Sequence, residues 1–184
     1  MKGPRKLTWL AIGITVIVAT GLTTATPARD RGHGTPIVVE TVPMWWPHLD
    51  AVVEKLAEHD VPGALAAWRD AHAAALAGPG WEGMLEVGHA YLRIGDAAEF
   101  RRAFVPRARE HFLGALLRAR QVGSIDGVLS AAEAFASLGD LGVVRQAVGI
   151  AASLVRREPD THAAERLDAL SRWTRGHVVA AVQR

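Results

Sequence analysis

The chain has 184 residues, a formal net charge of +2 and no cysteine. The missing cysteines exclude disulfides, thiolate metal sites, cysteine nucleophiles and a lipobox-type lipid anchor, and the near-balanced charge argues against a strongly basic nucleic-acid binder. Apolar residues make up 49% and aromatics only 6%, with alanine prominent, which favours packed helices over sheets.

Residues 7–28 carry no charge and follow Lys2, Arg5 and Lys6. About 20 apolar residues at 1.5 Å rise cross the roughly 30 Å hydrocarbon layer, and the basic flank stays inside. Residues 1–28 are therefore expected to be a single-pass inner-membrane anchor, touching lipid through residues 7–26. The rival reading is a cleaved signal peptide. The strongly apolar stretch is only about 16 residues long, and Thr23-Thr24-Ala25 or Thr26-Pro27-Ala28 could precede a cut. Either way the remainder crosses the membrane, and the alanine-, glycine- and arginine-rich composition points to a bacterial periplasm. Residues 29–44, with Gly32, Gly34, Pro36 and Pro43, show no helical period and read as a flexible linker. In Pro43-Met44-Trp45-Trp46-Pro47 the two adjacent tryptophans cannot both face one core. One is expected to staple the first helix while the other stays accessible.

Helical spacing begins near residue 48. Leu49, Val52, Val53 and Leu56 form the first stripe. Asp60 caps a second helix carrying Ala64, Leu65, Trp68, Ala71 and Leu76, which Gly78-Pro79-Gly80 ends. A third helix runs from Trp81 through Leu92 and breaks at Gly95-Asp96. A fourth carries Phe100, Phe104, Phe112, Leu113, Leu116 and Leu117, and Pro106 is expected to kink or split it. Gly123-Ser124 precedes a fifth helix, Gly139-Asp140 a sixth, and Pro159-Asp160-Thr161 a seventh that ends at Gly176. The expected class is all-α: about three antiparallel helix hairpins plus a capping helix over 45–176, and a frayed tail at 177–184.

The breaks at Asp60, Asp96 and Asp140 fall in the same place in three helix pairs, at intervals of 36 and 44 residues, a range typical of α-solenoids. Val87-Gly88-His89-Ala90-Tyr91-Leu92-Arg93-Ile94-Gly95-Asp96 resembles the first helix and turn of a tetratricopeptide repeat, and so does Ala132 to Asp140. Gly88 would let a neighbouring helix approach closely, Tyr91 and Phe135 would fill the space between paired helices, and Gly95 and Gly139 would take positive φ. In the second helices, Ala64, Trp68 and Ala71 match the small-large-small pattern, as do Val144, Val148 and Ala151 approximately. The middle unit departs from it, with Phe100, Phe104 and Arg107.

No chemistry-bearing motif emerges. The eight histidines never pair at i+3 or i+4, and no phosphate loop or nucleophile elbow occurs. Arg101, Arg102, Arg107, Arg109, Arg118 and Arg120 crowd one region without interleaved stacking aromatics, so nucleic acid is not an expected partner. The expected function is a non-catalytic protein-interaction scaffold without metal or cofactor, serving protein partners in the cell envelope, with self-association a further possibility. By the resemblance, a groove lined by first helices would present Trp46, Leu49, Val53, Glu82, Leu85, His89, Arg93, Asp126, Leu129 and Glu133. The alternative is an accessory subunit or enzyme of the envelope whose site the motifs do not reveal.

Overall fold

The computed structural model describes residues 42–182, with side-chain surroundings described through residue 177. The expected anchor at 1–28 and the linker up to residue 41 lie outside the described residues. Within those described, the chain forms seven helices and no strand: α1 Trp46–Ala57, α2 Val61–Ala77, α3 Glu82–Ala97, α4 Arg101–Val122, α5 Ile125–Ser137, α6 Leu141–Val155 and α7 Thr161–Val182. No helix among them is long and apolar enough to cross a membrane.

Each helix packs on its sequence neighbour. Contacts also recur between α1 and α3, α3 and α5, and α5 and α7. The core runs through the whole series and is built largely of alanine, with Val52, Ile94, Phe112, Leu129, Phe135 and Val144 as its large, fully buried members. Small side chains let the helices come close, and glycine extends this. A Cβ on Gly88 would lie 2.5 Å from Phe112 Cε1, and one on Gly127 would lie 2.6 Å from Trp81 Cε2. The expected close approach at Gly88 is thus observed. Tyr91 and Phe135 also fill space as expected: Tyr91 packs against Trp68 and Phe104, and Phe135 lies edge-on to Phe112.

Three turns fix the architecture. His59, Glu99 and Gly139 all take left-handed φ, near 60° to 75°, at even intervals of forty residues. Each turn closes with the same bonds. The N–H groups of Asp60, Phe100 and Asp140 donate to the carbonyls of Lys55, Gly95 and Phe135, five residues back. This corrects the middle break. The helix does not end at Gly95-Asp96 but runs through Ala97 and turns at Glu99, so the intervals are equal rather than 36 and 44. Gly95 is helical, buried against the Phe104 ring, and has no left-handed φ. Asp96 pairs with Arg101 instead of capping a helix.

The shift also re-registers the odd second helix. In the corrected register the middle triplet is Phe104, Ala108 and His111, which stands at the positions of Ala64, Trp68 and Ala71 before it and Val144, Val148 and Ala151 after it but inverts the small-large-small pattern. Ala108 and His111 are buried, whereas Phe100 and Arg107 are exposed.

Asp60, Ser124 and Asp160 accept hydrogen bonds from the N–H groups of Gly63, Gly127 and Ala163 and cap α2, α5 and α7. Asp140 makes no such cap. Its carboxylate takes two bonds from Arg109, at 2.5 and 2.6 Å, and ties α4 to the start of α6. Pro106 neither splits nor interrupts α4. It lies near the helix start and is exposed, so the carbonyl it leaves unpaired faces water. Gly176 likewise does not stop α7, which runs on to Val182 through most of the expected tail. Trp45 is half-buried against Gly83 while Trp46 is exposed, the division of roles expected for the pair.

Candidate interaction face

The even register brings equivalent residues of the odd-numbered helices into line. Trp46, Glu86, Asp126 and Arg166 are spaced by forty, as are Val53, Arg93, Glu133 and Trp173. The α5 to α7 end of this face is closed by Arg166. Its guanidinium donates to Asp126, to Ser130 Oγ at 2.9 Å and to both carboxylate oxygens of Glu133 at 2.8 and 2.9 Å. Hydrogen bonding to Glu133, and then to Asp126, raises the Arg166 pKa further. A small apolar cavity of about 290 Å³ sits beside it, lined by Ala136, Ala169, Leu170 and Trp173.

The expected groove residues divide in two. Leu49, Leu85 and Leu129 are buried in the core and present no usable surface. Trp46, Val53, Glu82, Arg93, Asp126 and Glu133 are exposed, and His89 is half-buried against Phe112, their ring centroids 4.9 Å apart. Burial lowers the His89 pKa, with Glu86 opposing and Arg93 adding to the effect. Asp126 and Glu133 are brought together by Arg166. Glu82, His89 and Arg93 share one side of α3 by helical spacing. Three aligned residues were absent from the expected groove: Glu86, Arg166 and Trp173. All three stand forty residues from a chosen position, so the signal was present but hidden by the uneven intervals.

Four of the crowded arginines are tied within the fold. Arg101 pairs with Asp96, Arg109 with Asp140, and Arg107 lies 5.7 Å over the Trp68 ring. Arg118 donates to the carbonyls of Ala75, Leu76, Gly78 and Gly80 and closes the C-terminal end of α2.

A second cluster joins α2, α3 and α4. Trp68 donates its indole N–H to the Val87 carbonyl at 2.8 Å and stacks on His72 at an interplanar angle of 3°. His111 lies buried beside both rings, and its Nε2 has no hydrogen-bond partner. Burial drives its pKa down to about 4, with His72 and Arg107 adding to the shift. The guanidinium beside the two imidazoles repels a cation, and no group of three or more potential metal ligands occurs among the described residues.

No family model, curated protein or solved structure matches this chain.

Proposed function

We propose that the chain is a non-catalytic interaction scaffold, held at the inner membrane by residues 7–26. Its helical domain, a short tetratricopeptide-like array, is periplasmic and takes a partner peptide or helix along the face of α1, α3, α5 and α7. The forty-residue spacing exceeds the about 34 of the tetratricopeptide unit. The likeness therefore rests on hairpin form and on Gly88, Tyr91, Phe135 and Gly139, not on length. The observation that carries the reading is the alignment of mixed side chains in forty-residue register, with exposed Val53 at one end and charged Arg93, Asp126 and Glu133 further along. Such mixed faces suit an amphipathic segment, whose apolar anchors and charges are read in register. The double substitution His89→Ala with Arg93→Ala tests it. Far-UV circular dichroism should stay unchanged, while capture of the partner from solubilised envelope by the tagged full chain should drop at least fivefold. Equal recovery of the same protein by both chains would remove this face from consideration.

A further inference from the structure

At one corner of the domain, the turn before α1 meets the end of α2 around a cavity of about 770 Å³. Val42, Met44, Trp46, Ala77, Pro79 and Glu82 are among its lining residues. Met44 is 81% exposed, Val42 61% and Trp46 48%, so three large apolar side chains line one exposed corner.

Two features fit this corner for a water-poor setting. A helix end is normally hard to dehydrate, because its last carbonyls need water. Here Arg118 donates to the carbonyls of Ala75, Leu76, Gly78 and Gly80, so these carbonyls at the end of α2 have a partner other than water. Glu82, the one charged lining residue, turns back over Gly80: a Cβ there would lie 2.4 Å from its Oε2. Its charge thus sits at the N-terminal end of α3, where the helix dipole favours it.

We propose that this corner rests in the headgroup layer of the bilayer, with Trp46 and Met44 inserted. The inference depends on the anchoring through residues 7–26 proposed above. The chain length between the two selects lipid as the occupant. Residues 29–41 separate the proposed anchor from the corner, and a chain of that length spans at most about 45 Å. Lipid holding the anchor is therefore always within reach of the corner. Tryptophan and methionine suit a boundary that is apolar on one side and wet on the other.

The chain lacks cysteine, so a nitroxide on Met44→Cys is unique, and Gln146→Cys on exposed α6 serves as the control. The full chain is reconstituted with phosphatidylcholine vesicles. Flotation reports the anchor, and power saturation with oxygen and a nickel chelate reports the label. The expected result is flotation of both chains, with the oxygen-to-nickel accessibility ratio at position 44 severalfold above that at 146. A floating chain with equal ratios overturns the membrane contact and leaves the anchor standing. A label shielded from both reagents means that protein, a second copy or a partner, covers the corner, and that overturns the proposal too. A chain that stays at the bottom of the gradient removes the anchor and this inference together.

Discussion

The imidazole rings of His72 and His111 lie 4.7 Å apart, centroid to centroid, yet Nε2 of His111 has no hydrogen-bond partner. In the forty-residue register His111 takes the place of Ala71 and Ala151, both fully buried alanines. The middle unit therefore buries an ionisable ring where its neighbours bury a methyl group.

That ring makes stability depend on acidity. The folded pKa of His111 is about 4, against about 6.5 when unfolded, so the unfolded chain binds more protons between these values. Its contribution is complete above about pH 7 and is lost as the pH falls from 6.5 towards 4, with roughly 2 kcal/mol gone by about pH 5. The lowered pKa of His72 acts in the same direction. Arg107 acts on both rings, and Tyr91 lies edge-on to His111. Urea midpoints measured at pH 7.5 and 5.0 should separate clearly in the native chain and much less in His111→Ala. An unchanged gap in the variant would clear His111 of the effect.

Glu99 holds a left-handed φ of 59° at a turn where Gly139 holds the same conformation without a Cβ. A side chain there costs about 1 kcal/mol. Glu99→Gly should therefore stabilise the domain by up to that amount, reduced by the extra freedom glycine gains when unfolded. A higher urea midpoint at constant slope is the expected reading, and a lower midpoint would contradict it.

Gly88 admits Phe112 so closely that a methyl group has no room. Gly88→Ala should cost about 1–3 kcal/mol despite the better helix propensity of alanine. Gly149 has open space at its Cβ position and is the control. There the same change should raise thermal stability slightly.

Arg166 fastens α7 to α5 by way of Asp126, Ser130 and Glu133. The carboxylates are largely exposed, so removing the guanidinium should cost only about 1 kcal/mol globally. The local effect should be larger. In Arg166→Ala, amide exchange should speed up across α7 and stay near native in α3 and α4. Uniform acceleration along the chain would show that α7 is not a separable unit.

Helix periodicity in the sequence located all seven helices, because alanine-rich stripes and Asp60, Ser124, Gly123 and Gly139 mark most ends plainly. The error arose where two signals competed. Gly95-Asp96 imitates Gly139-Asp140, but Gly95 is needed for the approach of Phe104, not for a turn. The true turn uses Glu99, a residue with no local preference for positive φ, so only backbone bonding reveals it. The site suffered from the same slip. Arg93, Asp126 and Glu133, placed on the face by the repeat pattern, are exposed, while Glu86, Arg166 and Trp173 fall into line with them only in the forty-residue period. Leu49, Leu85 and Leu129 are buried instead, because helical spacing alone does not tell a groove-facing stripe from a buried one.

The three matching turns have a modular consequence. Excising residues 100–139 joins Glu99 to Asp140, a junction of the same sequence position, φ and bonding partner as the ones it replaces. Each surviving helix would keep a neighbour of the kind it already packs on, and both termini would keep their own covers. Such a chain can change length in whole cassettes, by loss or duplication, without inventing a new joint.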